Sequence, residues 1–570
     1  MTVQSEHSPS RSRPQTWLCV LLIVACTFAA FGRLCGYDFT NWDDNATVWE
    51  NPNLLPPTAG TLWKLYTTES ARSHIFTPVT WTVWWLLASA CVRPAPAAGK
   101  FVLDPHVFHA ANVALHVTTS VLVFFLLRLL LRAPSDLTAC AGALLFALHP
   151  VQVETVGWVS GTKDLLAGLF MTLAMLQYVK YAMAASPRDR SMHYVFTIIA
   201  SIAAMLSKPS AVALPLMIAA IDGLLLRRNL VQVLRGVLPL FMVTAPVLLW
   251  SKATQTGQGL PTLVSPLLRP FVAADALAFY LGKLIWPWQL CVDYGRYPRA
   301  VVESGQAWVT WIAPVVVGGI VWLVRRRLPE LLTGAAIFVA ALLPVLGVVP
   351  FDFQQYSTVA DHYLYVALIG AGLGAVALIQ SLSRSAVAVI LAAIAIGLGS
   401  GSFHQSRYWQ NSFTLFGRAI AVNPRSWLGY NNLAEAWAQR DRNDLVAQYA
   451  RQSIRINPQN FPAHMNLGVA LLNQHDLPRA TAEFESAVRL QPANVEAHIN
   501  LAMAYAEASR LEDAIHHYQV VLTMDPSNAI AQRMLKLALA YREHLRRRAT
   551  TDPAHPAPPS SSPLAPAEAN

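Results

Sequence analysis

The chain has 570 residues, of which 54% are hydrophobic and only 13% are charged, against roughly a quarter charged in ordinary globular proteins. This composition excludes a water-soluble globular protein and indicates a membrane protein, where the 17 Trp and 17 Tyr suit the two membrane–water interfaces. The net charge of +10 does not indicate nucleic-acid binding, because the arginines flank apolar segments and do not gather on one face of a domain.

Apolar segments follow one another along the chain up to residue 402, after a polar tail over residues 1–16. A spanning helix needs about 17 to 25 apolar residues, and by that measure the sequence predicts about eleven of them. They lie near 17–34, 106–131, 137–150, 164–185, 193–206, 210–226, 236–252, 307–324, 330–349, 363–382 and 385–402.

The arginines predict which side of the membrane each connection faces. Every second connection is basic, through Arg11, Arg13, Arg128, Arg132, Arg188, Arg190, Arg227, Arg228, Arg235, Arg325, Arg326, Arg327 and Arg384. Because cytoplasmic loops carry the excess of Lys and Arg, we expect a cytoplasmic N-terminus and an outer location for residues after Ser402. The predicted outer segments are 35–105, 150–163, 253–306 and 350–362. Apolar stretches inside two of them, 76–90 and 268–286, are predicted to be interfacial or re-entrant helices.

The first outer segment carries an acidic motif, Asn41-Trp42-Asp43-Asp44-Asn45, just after the first predicted helix. Asp and Asn favour turns and helix N-caps, so a structural role is the plainer interpretation. Two adjacent carboxylates where the chain leaves the membrane can also accept a proton, orient a hydroxyl group or hold a metal ion. Asp43 and Asp44 are therefore candidate catalytic or metal-binding residues.

Further ionisable residues are predicted on the same side of the membrane. Such groups are costly at membrane depth and tend to mark function, although loops commonly contain charges. The candidates are His149, Glu154, Lys163, Asp164, Lys208, Arg296, Asp361 and His362. In the second span, His109, Asn112 and His116 share one helix face, which is more typical of a polar seam between helices than of a metal site.

The part after the last predicted span has an internal repeat. Asn-Pro, Gln-Pro or Asp-Pro dipeptides begin at residues 423, 457, 491 and 525, each 34 residues after the one before, which is the tetratricopeptide (TPR) period. Such repeats stack into a solenoid with a concave binding surface. We expect a membrane domain over 17–403, about three repeats with flanking helices over 404–547, and a disordered Pro-, Ala- and Ser-rich tail over 548–570.

Nucleotide-binding loops of the GxxxxGK[ST] or GxGxxG type are absent from the sequence. Four stretches together resemble the membrane-plus-TPR protein O-mannosyltransferases: Asp38-Phe39-Thr40-Asn41-Trp42-Asp43-Asp44, the run from Ala143 to Val156, Lys163-Asp164-Leu165-Leu166 and Leu206-Ser207-Lys208-Pro209. The resemblance implies an all-α fold, with a polytopic GT-C-type helix bundle followed by an α-solenoid. A small number of repeats resembles bacterial members, which implies a bacterial inner membrane with the repeats in the periplasm.

The resemblance also implies a reaction, the inverting transfer of a sugar, expected to be mannose, from a polyprenyl-phosphate donor to a protein hydroxyl. Asp43 and Asp44 would deprotonate the acceptor or hold a divalent cation, and the repeats would bind the acceptor protein. The lipid phosphate would be neutralised by Lys163, Lys208, Arg296 and His362. The last of these stands in Ala360-Asp361-His362-Tyr363, where the family often has Ala-Asp-Arg-Tyr.

Two other functions fit the composition. A flippase for a lipid-linked sugar would share the spans, but its ionisable residues should lie near the bilayer midplane. A noncatalytic scaffold would use the repeats alone and leave the outer carboxylates and lysines without a task.

Overall fold

The chain divides into two compact units, Met1–Leu415 and Phe416–Asn570. The computed structural model describes residues 13–69, 76–94, 101–131, 135–254 and 264–551. Most of the predicted tails, namely residues 1–12 of the first and 552–570 of the last, lie outside the described residues.

The first unit is a bundle of helices with one short antiparallel pair of strands, Arg93–Pro94 and Phe101–Val102. Its α-helices within the described ranges are Arg13–Phe31, Ala59–Lys64, Pro78–Cys91, Pro105–Leu130, Asp136–Leu148, Gln152–Gly157, Thr162–Met183, Pro187–Ser207, Leu214–Ala220, Leu230–Thr254, Arg269–Ile285, Pro298–Glu303, Ile312–Val324, Pro329–Leu342, Leu364–Ile379 and Arg384–Ser406. The next helix, Ser412–Val422, contains the division between the units.

Helices stand at every predicted span. Among the described residues, seven helical stretches are long and apolar enough to cross a membrane: Pro14–Gly36, Pro105–Leu130, Val159–Met183, Leu230–Val247, Gln306–Val324, Asp361–Ile379 and Arg384–Trp409. The other predicted spans coincide with shorter or more polar helical stretches, Asp136–Leu148, Pro187–Ser207, Pro209–Leu225 and Pro329–Val345. The predicted membrane fold class is confirmed, whereas the number of crossings, about eleven by length, stays a prediction.

The helix Leu364–Ile379 packs against its neighbours with the backbones in contact. A Cβ atom added to Gly334 would lie only 2.4 Å from the carbonyl oxygen of Gly370, so only glycine fits there. Small residues that let helix backbones approach are a common means of helix association in membranes. Because Asp361 and His362 belong to the 3-10 turn Asp361–Tyr363 that leads into this helix, the close packing of the helix fixes where these two side chains lie.

The second unit consists of paired helices, as the TPR period predicts. Within the described residues they are Trp427–Ala438, Asn443–Ile456, Phe461–Asn473, Leu477–Leu490, Val495–Glu507, Leu511–Met524 and a final helix, Ala529–Thr551. The turn inside each pair repeats one left-handed residue, Asp441, His475 and Ser509, with φ of 55°, 60° and 60°. Alanines pack around Phe484 and Tyr518 in its core, which lets the paired helices approach closely.

Candidate active site

Asp44 is a buried anchor of the acidic motif. Its Oδ1 accepts hydrogen bonds from the backbone N and the Oγ of Ser160, both at 2.8 Å, and its Oδ2 accepts from the Oγ1 and N of Thr40 at 3.0 and 3.3 Å. Burial raises the pKa of Asp44 to about 7, although the hydrogen bonds from Ser160 and Thr40 oppose the shift. Four donors occupy the lone-pair directions of this carboxylate, so it is poorly placed to receive an acceptor hydroxyl or chelate a metal.

Asp43 is the accessible carboxylate of the pair. Its side chain is exposed and its backbone is left-handed, with φ of 68°. The backbone oxygen of Asp43 accepts hydrogen bonds from the N and Oγ1 of Thr47 at 2.9 and 2.7 Å, which closes the turn. Asp and Asn adopt this left-handed conformation more readily than other non-glycine residues, so the turn can hold the carboxylate out to solvent. Asp43 is therefore the better candidate base.

Trp158 joins the acidic motif to the candidate phosphate-binding residues. Its indole N–H donates to the carbonyl oxygen of Trp42 at 2.5 Å. The ammonium of Lys163 lies 4.7 Å from the centre of the indole ring, and the ring of His362 lies 5.5 Å away. The side chain of Trp158 thus contacts residues of three of the four predicted outer segments, namely 35–105, 150–163 and 350–362.

The polar face of the helix Pro105–Leu130 supports this arrangement. Asn112 donates to the carbonyl oxygen of Trp158 at 2.8 Å and accepts from the hydroxyl of Thr162 at 2.7 Å. His109 and His116 contact the carbonyl oxygens of Asp38 and Ala147 at 3.2 and 2.9 Å. The expected polar seam is present. In the ranges that the structure describes, no three His, Cys, Asp or Glu side chains are grouped so as to hold a metal ion.

The four candidate phosphate-binding residues differ in their partners. The Nζ of Lys208 lies 2.5 Å from an oxygen of Asp164, and the Nη2 of Arg296 lies 2.5 Å from an oxygen of Asp275. For Lys163 there is no carboxylate at ion-pair distance within the described part of the chain, and its ammonium rests on Trp158. Lys163 is therefore the cation of this group that is free to meet a new anion.

His362 lies in a buried pair with Glu154, its Nδ1 2.5 Å from Oε1. Burial, followed by the charges of Asp361 and Asp164, raises the pKa of Glu154 well above its usual value, and the backbone N–H groups of Asp361 and His362 oppose this shift. Because Nδ1 is engaged, only the Nε2 of His362 could meet a phosphate.

The other candidates hold the outer segments together. Asp361 accepts from the hydroxyl of Tyr294 at 2.9 and 3.0 Å, and the Nε2 of His149 contacts the carbonyl oxygen of Leu284 at 3.2 Å. Asp164 lines a cavity of about 30 Å³ with Lys208, Ser210, His362, Tyr363 and Tyr365. The Oδ2 of Asp164 is buried and has no hydrogen-bond partner within the described residues.

Several residues that form the site were not predicted from the sequence. Ser160 and Trp158 lie only a few positions before Lys163 in a predicted outer segment, and their nearness to a candidate cation is the signal that could have found them. Thr40 stands four residues before Asp44, within reach for a local side-chain hydrogen bond. Asp275 is the one charged residue between Pro270 and Gly282 of its helix, and it could have been noticed there as a costly charge.

The second unit matches a known family, the tetratricopeptide repeat, over residues 465–529. Over most of its length the chain is 25% identical to the human protein O-mannosyl-transferase TMTC4, across 516 residues that cover 77% of this chain and 66% of the relative. The relatives of this chain are protein O-mannosyl-transferases.

Two further relatives extend this finding. The chain is 24% identical to mouse protein O-mannosyl-transferase TMTC3, covering 76% of this chain and 50% of the relative. It is 22% identical to protein O-mannosyl-transferase F38B6.6 of Caenorhabditis elegans, covering 75% and 61%. The resemblance carried by the acidic motif and the repeats is confirmed, and the chain spans between half and two thirds of the length of these curated relatives.

Proposed function

We propose that this chain is a membrane glycosyltransferase that moves a mannosyl group from a polyprenyl-phosphate donor to a hydroxyl group of a protein. The observation that carries the proposal is the placement of Asp43 and Lys163. The accessible carboxylate of Asp43 and the ammonium of Lys163, which has no ion-pair partner within the described residues, belong to two segments joined by the hydrogen bond between Trp158 and Trp42. The names of the relatives supply the sugar and the acceptor class.

The proposed reaction needs one base and one cation. Asp43 accepts the proton of the acceptor hydroxyl as its oxygen attacks the anomeric carbon of the donor. The bond from that carbon to the phosphate oxygen breaks, and the electron pair leaves with the polyprenyl phosphate. Lys163 neutralises the charge on this leaving group. Attack opposite the leaving group inverts the anomeric configuration.

The remaining candidates support these two groups. Asp44 and Trp158 fix the acidic motif against the segment that leads to Lys163. Lys208 and Arg296 each have further N–H donors beyond the ones that face their carboxylates, and so they remain candidates for the donor phosphate together with the Nε2 of His362.

The proposed location of this site is the periplasmic side of a bacterial inner membrane, with the repeats on the same side.

The test uses the full chain in lipid nanodiscs with radiolabelled polyprenyl-phosphate mannose and an unstructured peptide rich in Ser and Thr. We expect mannosylated peptide, with inverted configuration by NMR, and its loss in Asp43→Asn. In sealed vesicles, movement of the lipid-linked sugar across the bilayer without transfer would instead identify a flippase. Peptide binding with neither transfer nor lipid movement would identify a scaffold.

A further inference from the structure

Two arginines lie where the ends of two long apolar helices adjoin. The Nη1 of Arg33 donates to the carbonyl oxygen of Phe403 at 3.0 Å, and Arg407 follows Phe403 by one turn. Both arginines lie in the last turn of stretches long enough to cross a membrane, Pro14–Gly36 and Arg384–Trp409. A helical turn rises about 5.4 Å, so one lipid headgroup can reach both guanidinium groups.

The charge pattern of the predicted topology does not explain these two arginines. They lie at the predicted outer ends of their spans, whereas positive residues are favoured at cytoplasmic ends. Arg33 does have a structural contact, since the carbonyl oxygen that it meets belongs to the last turn of the helix Arg384–Ser406, where carbonyl groups lack helical partners. That contact leaves the charge of Arg33 in place and does not involve Arg407.

Neither guanidinium has a carboxylate at ion-pair distance within the described part of the chain. The Nε of Arg33 donates to the hydroxyl of Tyr37 at 2.5 Å, and its Cζ lies 4.6 Å from the ring centre of Phe403. The Nη2 of Arg407 donates to the hydroxyl of Tyr408 at 2.8 Å, and its Cζ lies 4.8 Å from the centre of that ring. A guanidinium has five N–H donors, so each arginine keeps donors for an anion beyond these contacts.

The surface beside the two arginines is apolar and open to the bilayer. The ring of Phe28 lies against Gly32, the residue before Arg33. Phe28 is 60% exposed and Phe403 is 43% exposed, and only 11% of the apolar part of Arg384–Trp409 is buried. Exposed apolar side chains next to interfacial cations fit a phospholipid, whose phosphate lies at the interface and whose acyl chains lie along the helices. A water-soluble anion would leave this apolar surface unused.

We propose that Arg33 and Arg407 bind the headgroup phosphate of an anionic phospholipid, such as phosphatidylglycerol, from the membrane leaflet that surrounds them. Arginine binds phosphate oxygens through charge-assisted hydrogen bonds, and an anionic lipid balances positive charge that a zwitterionic lipid does not. The bound lipid holds the ends of the first and last apolar helices together. Neither arginine is a candidate for the donor phosphate, so this site does not rest on the proposed function.

The test uses the full chain in phosphatidylcholine nanodiscs that contain a small fraction of phosphatidylglycerol with a photoactivatable diazirine near its headgroup. Mass spectrometry of peptides locates the cross-links after illumination. We expect cross-links within residues 28–37 and 403–408, and far fewer from a phosphatidylcholine carrying the same diazirine. The double variant Arg33→Gln, Arg407→Gln should lower the yield in both segments roughly 30-fold, since each cation near an anionic membrane surface contributes about a factor of 5.

The matched control, Arg451→Gln with Arg455→Gln, removes the same charge from exposed positions of the repeats and should leave the cross-links unchanged. If the double variant melts early, Arg407→Gln alone replaces it and should lower the yield roughly fivefold. This single variant spares the contact between Arg33 and Phe403. An unchanged yield in the variants of Arg33 and Arg407, or an equal loss in the control, would overturn the proposal.

Two competitors distinguish the sources of a phosphate group. Sodium phosphate should reduce the cross-links no more than sodium chloride of equal ionic strength, and polyprenyl phosphate should compete no better than unlabelled phosphatidylglycerol. Specific competition by inorganic phosphate, or stronger competition by polyprenyl phosphate, would overturn the assignment to a phospholipid. A protein that shows the expected cross-links but transfers no sugar would sustain this site and count against the proposed function alone.

Discussion

The indole N–H of Trp158 donates a hydrogen bond to the carbonyl oxygen of Trp42 at 2.5 Å. This bond ties the accessible Asp43 to the segment that leads to Lys163. Trp158→Phe removes the bond but keeps an aromatic face for the ammonium. We expect transfer to fall roughly tenfold in kcat, because small misplacements of reacting groups are costly, with little change in donor KM. A turnover equal to that of the wild type would show that this bond does not position the site.

Lys163 and Lys208 should respond differently to loss of charge. Lys163→Met removes a cation with no carboxylate at ion-pair distance in the described ranges, so we expect weaker binding of polyprenyl phosphate and an intact fold. Lys208→Met leaves Asp164 buried without its partner, and breaking a buried pair in this way costs about 3–5 kcal/mol. Burial lowers the pKa of Lys208, and the charge of Asp164 only partly opposes this, so the fold tolerates Lys208 chiefly as part of the pair.

The double variant Lys208→Met, Asp164→Asn separates these effects. It should recover the melting temperature lost in Lys208→Met. Melting curves and polyprenyl-phosphate binding by scintillation proximity report the two properties. The opposite result is a Lys163→Met protein that melts early and a Lys208→Met protein that does not. It would show that Lys163, and not Lys208, has the structural role.

The repeats contain a pair of facing histidines, and the equivalent pair in the preceding repeat differs from it in one residue. His498 and His517 face each other through their Nδ1 atoms at 2.9 Å, while the equivalent pair of the preceding repeat is His464 with Glu483, at 2.6 Å. Burial, followed by the charges of His498 and His516, lowers the pKa of His517 to about 4, and the charges of Asp513 and Glu485 oppose this shift. Tyr505 stacks on the same ring.

Below an unfolded pKa of about 6.5 for His, the unfolded chain binds more protons at His517 than the folded chain. The stability contribution of His517 is therefore complete above pH 6.5 and is lost as the pH falls towards 4. We expect faster hydrogen exchange in the helix Leu511–Met524 at pH 5 than at pH 7.5, after correction for intrinsic rates. His517→Glu, which copies the preceding repeat, should remove most of the difference. Equal pH dependence in both proteins would exclude this pair as its source.

The arginine pattern predicts the side on which the repeats lie. Because the basic connections should be cytoplasmic, alkaline phosphatase fused after Ser402 should be active in the periplasm, and the same enzyme fused after Arg327 should be inactive. Green fluorescent protein at the two positions should give the opposite pattern. Phosphatase activity confined to the Arg327 fusion would place the proposed site on the cytoplasmic side.

Apolar length and a 34-residue period were enough to predict the helix bundle and the repeats, since both are local properties of the chain. The acidic motif and the lysines could also be singled out by residue type and position. The difference between Asp43 and Asp44 could not be predicted, because it depends on Ser160, which lies 116 residues away. The pairs of Glu154 with His362 and of Lys208 with Asp164 likewise join distant segments. Only the packed structure shows that Lys163, alone of the candidate cations, has no ion-pair partner among the residues it describes.

Our central claim is that Asp43 is the catalytic base and that Asp44 is a structural residue. Substitution of each by Asn tests this claim. Asn tolerates the left-handed backbone at position 43 but cannot accept the proton, so Asp43→Asn should lower transfer by roughly two to four orders of magnitude with the melting temperature unchanged. Asp44→Asn turns an amide N–H₂ towards buried donors, which costs roughly 1–3 kcal/mol, so this protein should melt early.

The most direct measurement is therefore mannosyl transfer by Asp43→Asn in nanodiscs, with its melting curve recorded on the same sample. We predict a folded protein with nearly no transfer. A folded Asp43→Asn protein that transfers mannose at the wild-type rate would contradict it.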